Sequence, residues 1–252
     1  MHAKKMSMPL MCGFTTSRWS HAVQFMLPKQ PGCFDLNALR IIQLVEADLN
    51  MAAKIVMGRK LIHRIEDNNN MPAYQHGFRP NKTAIGIATL KRLSYDFLAL
   101  TRQNAIIFNN DAKACFDRIV PIVAAIAMRH QGLDKWSTAS FLEILLGMRY
   151  QIRTALGISE NDFSNLHDTL LGVLQGVGWS TTTWLLISVI LLCCIEKRSP
   201  GINIINPQQT IHLKRAAETF ADDADLWMVF PTSFDTACKD MTAIAQYWEQ
   251  LC

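Results

Sequence analysis

Two short runs near the C-terminal end of the chain break the pattern of the rest. Ala216 to Phe220 is one run, and Ala224 to Phe230 is the other, with Leu226, Met228 and Phe230 at every second position. A period of two places side chains on one face of a strand. Two such runs separated by Ala221, Asp222 and Asp223 predict a hairpin with both acids at its bend. Ala105-Ile106-Ile107-Phe108 is a further β-prone run, ending in Asn109-Asn110-Asp111. A strand over Gln151 to Ile158 leads into the polar stretch Ser159 to Asp168. Most of the remainder carries helical spacing. Asn37 to Glu66 reads as a helix broken by Asn68-Asn69-Asn70 and Pro72, and Thr83 to Leu100 as a second. Ile119 to His130 follows, with Pro121 in its first turn and Gly132 at its end, and then Lys135 to Met148. Thr232-Ser233-Phe234-Asp235 resembles a capping box that opens a last helix. Repeats and low-complexity linkers are absent. The expectation is an α+β fold with an antiparallel sheet packed against helices.

One helix invites a membrane reading. Trp184 to Ile195 is apolar apart from Ser188, yet it covers about 12 residues, short of the roughly 18 needed to span a bilayer. A buried helix explains it better, and no membrane partner is expected.

Adjacent carboxylates repel, and a pair near the interior is costly unless positive charge lies between them. A metal ion is the usual answer. Two-metal phosphoryl transfer needs acids from separate strands, because the ions lie about 3.5–4 Å apart and are held from two sides. Asp111 at the end of one strand and Asp222 on a neighbouring hairpin would meet that need. Gly172-Val173-Leu174-Gln175-Gly176-Val177-Gly178-Trp179-Ser180 adds a glycine-rich loop running into a helix, where a backbone or a nucleotide can approach closely. Structural roles stand beside these functional ones. Asp222 and Asp223 could be solvated turn acids, and Phe116 a core aromatic. Asp117 suits a first helical turn, Asp225 a solvent-facing strand position, and Arg79 a loop cap. Lys113 and Arg118 suit the surface.

Composition adds a charge asymmetry. The chain has 252 residues and a net charge of +4. Residues 1–105 hold 14 Lys/Arg against 6 Asp/Glu, and residues 106–252 hold 11 against 15. A basic front half and an acidic rear half suit a nucleic-acid grip joined to a metal-binding centre. The seven cysteines are odd in number and form no CxxC, which points to a reducing intracellular compartment, nuclear or cytoplasmic, without disulfides or zinc. Lys4-Lys5 is followed by no continuous apolar stretch, so a secretory signal is not expected.

Four segments in order resemble the reverse transcriptases, nearest to those of non-LTR retrotransposons and group II introns. Gln75-His76-Gly77-Phe78-Arg79 is similar to the "Q-x-G-F-R" fingers motif, and Asp111 with Phe116-Asp117 to the first palm motif. Gly172 to Ser180 is similar to "GxxQGxxxSP", with Thr181 where the family usually has proline, and Phe220 to Asp223 to the "Y/F-x-D-D" box. The resemblance implies a right-hand polymerase, with residues 1–105 as a basic, fingers-like region and 106–252 as a palm incomplete at its C-terminus. The thumb that follows in the family is not expected before Cys252. It further implies RNA-directed DNA synthesis from an RNA template, a DNA primer and dNTPs, within a larger retroelement polyprotein. Asp111 and Asp222 would bind two Mg²⁺ ions, or Mn²⁺ in their place, with the Ala112 carbonyl as a backbone ligand and Asp223 as the supporting acid. Phe116 would exclude a 2′-hydroxyl, Gln175 and Gly176 would line the nucleotide pocket, and Arg79 and Arg40 would face triphosphate or template. Two other expectations remain open: an inactive remnant that only binds nucleic acid, and an RNA-copying RNA polymerase. The aromatic Phe116 argues against the latter, which usually has a polar residue there and a "GDD" box.

Overall fold

The computed structural model describes residues 8–32, 35, 38–112, 114–164, 172–230 and 233–251. The expectations placed on Lys113, on Thr232 and on the 165–168 end of the polar stretch lie outside the described residues, as do Cys33 and Cys252. Ten strands occur among the described residues: β1 (His21–Pro28), β2 (Leu39–Val45), β3 (Ala105–Asp111), β4 (Arg149–Thr154), β5 (Gly157–Ile158), β6 (Phe163–Ser164), β7 (Ile202–Ile205), β8 (His212–Arg215), β9 (Ala217–Phe220) and β10 (Asp223–Val229). The chain divides into two compact units, each built from two stretches. One comprises Met1–Asn68 with Phe116–Leu186, the other Asn69–Cys115 with Ile187–Cys252.

In the first unit β1 lies between β2, antiparallel to it, and β4, parallel to it; β5 and β6 both pair with β4. The strand β2 corrects the expected helix over 37–66. Ile41-Ile42 and Leu44-Val45 are β-prone, and seven residues of β2 find ladder partners on β1. The helix starts only at Ala47. It runs as Ala47–Ala53, a π-helical stretch Lys54–Leu61, and Ile62–Asp67. Its buried face carries Leu49, Met57, Leu61, Ile62 and Ile65. The expected strand 151–158 is instead a hairpin, with Thr154 opposite Gly157. The helix expected from Ile119 begins two residues later, at Pro121, so the proline does fall in its first turn. The helix Lys135–Leu146 is capped by Asp134, whose side chain accepts hydrogen bonds from the Trp136 and Ser137 amides at 3.0 and 2.9 Å.

The glycine-rich loop closes against this unit's long helix. Trp179 Nε1 donates to the Val173 carbonyl at 2.8 Å, and its ring meets Phe141 edge-on at 5.2 Å. The Gly178 amide donates to Asn50 Oδ1 at 2.8 Å. A Cβ on Gly178 would lie 2.5 Å from the Lys54 amide nitrogen, so the glycine is required by close packing of two backbones.

The second unit holds an antiparallel sheet in the order β3-β10-β9, with β7 and β8 as a separate pair. The hairpin expected around Asp222 and Asp223 is present. On one face of β10, Trp227 packs with Leu98 and Ile202, and its ring lies 5.3 Å from Tyr95. Leu98 and Tyr95 belong to the helix Ala84–Thr101, capped by Thr83, whose Oγ1 accepts from the Gly86 amide at 3.0 Å. Side chains alternate along a strand, so Met228 points to the other face, where it lines a cleft with Ile244 and Tyr247 of the helix Phe234–Leu251. The sheet is thus covered on both sides. The helix Ser180–Arg198 is longer than the apolar core expected for it, because Ser180 and three threonines extend it at its start. By length and composition it could cross a membrane, but 56% of that window is buried, with Leu185, Leu192 and Ile195 in the core.

The Gly178 packing makes a direct test. Gly178→Ala is expected to destabilise the protein by about 1–3 kcal/mol, the range for overpacked sites, read as a lower denaturation midpoint at unchanged slope.

Candidate active site

Asp222 sits on a two-residue turn, while Asp223, expected beside it at the bend, is the first residue of β10. Phe220 and Asp223 are the last paired residues of β9 and β10, leaving Ala221 and Asp222 as the loop. Ala221 has φ +58°, a left-handed conformation usually left to glycine. Such strain persists where neighbours over-determine the backbone. Gly77 is that neighbour: a Cβ there would lie 2.0 Å from the Ala221 nitrogen.

The segment around Gly77 runs beside β9. The His76 amide donates to the Thr219 carbonyl at 2.9 Å, and the Thr219 amide to the Tyr74 carbonyl at 3.1 Å. Gln75 is buried; its Nε2 donates to Ser188 Oγ at 2.6 Å, and its Oε1 accepts from the Gly77 amide at 2.8 Å. Arg79 Nη1 donates to the Pro72 and Gln75 carbonyls at 2.7 and 2.8 Å. Arg79 therefore acts here as a brace of its own loop. The Gln75–Arg79 motif backs the acidic turn from behind.

Register decides which acids meet. Along β3 and β10, Asp111 is the direct partner of Asp223, and Asn109 that of Asp225. The Ala112 amide donates to the Asp222 carbonyl at 3.2 Å, which carries the pairing one step into the turn. Asp111, Ala112, Asp222 and Asp223 are thereby brought together in the second unit. One row further along the same face, Asp225 stands opposite both Asn109 and Glu218.

The two rows are treated differently. Asp225 forms an ion pair with Lys91 and accepts a hydrogen bond from Asn109. It is half-buried rather than solvent-facing as expected, because it shares its face with Trp227. Glu218 is buried and paired with Arg215, which also donates to Ser94 Oγ at 2.6 Å and the Leu90 carbonyl at 3.1 Å. Burial lowers the Arg215 pKa from its ordinary value. By contrast, Asp111, Asp222 and Asp223 have no cationic partner among the described residues. Desolvation raises the Asp223 pKa first, and the charges of Asp222, Asp111 and Asp225 push it further, with Lys91 opposing.

This arrangement fits a hard divalent cation. Asp111 and Asp223 are exposed oxygen donors at the open end of a sheet, with Asp222 half-buried beside them. Among the described residues no group of three or more His, Cys, Asp or Glu side chains forms a ready cage. Mg²⁺ does not need one, since it keeps several waters and uses one or two carboxylates plus substrate phosphates.

The other expected site residues lie in the first unit. The Gln175 carbonyl accepts from the Gln43 amide at 2.8 Å. Gly176, at φ +108°, is exposed beside Ile42 and Gln43. Arg40 is exposed on β2, opposite Leu27. The Phe116 carbonyl accepts from the Val173 amide at 3.0 Å. Asp117 is half-buried; burial raises its pKa, against a hydrogen bond from the Gln43 side chain that lowers it. The Tyr150 hydroxyl is pushed up to about 12 by burial and by Asp117. Gln43 thus links Asp117 to the glycine-rich loop. Sequence reading missed it because it lies in the strand taken for a helix.

No family model matches the sequence, and no curated protein does. Solved structures do share the fold. Telomerase from Candida albicans in complex with a TWJ fragment of telomeric RNA superposes with TM-score 0.57 at 12% identity, over 90% of this chain and 40% of that one. Apo telomerase from Candida tropicalis, truncated from its C-terminal domain, gives 0.54 at 10% identity, over 93% and 48%. The Candida tropicalis enzyme with a TWJ fragment gives 0.56 at 10%, over 92% and 40%. This chain therefore spans less than half the length of these chains. At such identity the likeness shows the fold alone, a mixed α/β fold shared with these telomerase chains.

The raised Asp223 pKa has a consequence for stability. A carboxyl whose folded pKa exceeds its ordinary 3.8 destabilises the fold once ionised. That cost is absent below 3.8 and grows as pH rises through the folded value. Asp223→Asn is therefore expected to raise stability at pH 7 by up to about 0.5 kcal/mol, the scale of exposed substitutions. Thermal melts across pH should show the gain vanish toward pH 3.8.

Proposed function

We propose that this chain is the fingers and palm part of an RNA-directed DNA polymerase of retroelement origin, related to non-LTR and group II intron enzymes. The observation that carries the reading is the trio Asp111, Asp222 and Asp223, unpaired with any cation among the described residues and set beside Asp225 and Glu218, which each have one. Such uncompensated charge suits a site completed by divalent ions and substrate. The four ordered motifs and the shared polymerase fold support it.

In this reading Asp111 and Asp222 hold the ions with the Ala112 carbonyl, and Asp223 supports their charge. Bound there, Mg²⁺ or Mn²⁺ would lower the pKa of a primer 3′-hydroxyl and neutralise the departing pyrophosphate. Phe116 would exclude a ribose 2′-hydroxyl and so select dNTPs. Gln175 and Gly176 would line the template–nucleotide pocket, and Arg40 would meet template phosphate. Arg79 would act chiefly by steadying the loop behind the turn, since its guanidinium already serves two carbonyls.

Primer extension on an RNA template with Mg²⁺ and dNTPs tests the proposal. Asp222→Ala is expected to reduce extension by a factor on the order of 10² or more, the scale of removing one electrostatic group at a reacting centre. Extension should also rise with pH as Asp223 loses its proton. RNA binding without extension by either protein would instead favour the inactive remnant.

A further inference from the structure

Away from the acidic hairpin, the first unit carries an open groove of about 530 Å³ lined by Arg59, Lys60, His63, Arg64, Asp67 and Asn68. The four basic residues stand at i, i+1, i+4 and i+5, so they share one helix face. The opposite face is spent on the core through Met57, Leu61, Ile62 and Ile65. This face begins in the π-helical stretch, a local geometry that often marks functional positions.

The basic side chains are available. Arg59, Lys60 and His63 are exposed, and their side chains have no hydrogen-bond or ion-pair partner among the described residues. Arg64 is fixed as a wall: its Nη1 donates to the Gly132 carbonyl at 2.8 Å. Gly132 lies in the turn that follows the helix Pro121–His130. The lining sets three permanent cations against one carboxylate, Asp67. Like charges gathered in an open groove repel one another, and a polyanion relieves that repulsion.

We propose that this groove binds the sugar–phosphate backbone of a single-stranded RNA, as a grip separate from the acidic turn. None of the six lining residues is apolar, which disfavours a lipid surface, where basic faces are paired with inserted Trp, Phe or Leu. Arginine forks match phosphate oxygens, and guanidinium and imidazole planes can stack on unpaired bases. The proposal rests on the nucleic-acid reading above, but it concerns binding and leaves catalysis aside.

Fluorescence anisotropy of the full chain with a labelled oligouridylate, repeated over a range of salt concentrations, tests it. Arg59→Ala/Lys60→Ala should bind more weakly and lower the slope of log K against log salt by about 1.4, at roughly 0.7 per single-strand phosphate contact. Arg59→Gln/Lys60→Gln should do the same, which separates lost charge from an altered helix. Arg92→Ala removes an exposed cation in the other unit and should keep the wild-type slope. An unchanged slope in the double variants overturns the proposal, as does mutation-sensitive binding to anionic vesicles in preference to the RNA. Primer extension with an unchanged slope would sink the groove alone. A changed slope without extension would sink the catalytic reading alone.

Discussion

Everything at the candidate site depends on the register between β3 and β10. An antiparallel ladder that sets Asp111 against Asp223 places two like charges on one face at the end of a sheet. A slip by one residue would turn every side chain of β10 over. It would bring Asp223, Asp225 and Trp227 together to the face that Met228 now occupies, and Met228 to theirs. The register is held from the interior, where Trp227 fits among Leu98, Ile202 and Tyr95. A hydrophobic contact deep in the unit thus sets the spacing of carboxylates at its rim.

Charge is then graded along that face. Glu218 and Asp225 have Arg215 and Lys91, so the row nearer the core is neutral in sum. A buried acid left without its cation would cost several kcal/mol. The outer row, reached by solvent, can tolerate unpaired acids because water screens them. Tolerance has a signature in the raised pKa of Asp223. The turn is also strained at Ala221 and backed by Gly77, where no side chain fits. Rigid backing and unspent charge are what a cation-assisted site requires of its protein part.

Much of this was legible in the linear pattern. Period-two runs flanking Asp222 and Asp223 announced the hairpin, the proline marked the first turn of the helix at Pro121, and apolar spacing placed the helix that follows Thr83. The strands β1 and β2 were not legible, because their stability comes from pairing with each other and with β4, which are distant contacts. Ile41 to Val45 reads equally well as one turn of an apolar helix until β1 supplies its partners. The roles of Asp225 and Gln75 were hidden for the same reason. Lys91 and Ser188, which pair with them, lie 113 or more residues away from those partners. The paired acids were visible, whereas the cations that neutralise their neighbours were not.

The most direct measurement of the central claim is Mn²⁺ binding, followed by electron paramagnetic resonance, in a double-mutant cycle of Asp111→Asn and Asp223→Asn. If the register brings these carboxylates to one ion site, each single change weakens binding and the double change costs clearly less than their sum. Strictly additive losses, or binding indifferent to both changes, would contradict the account.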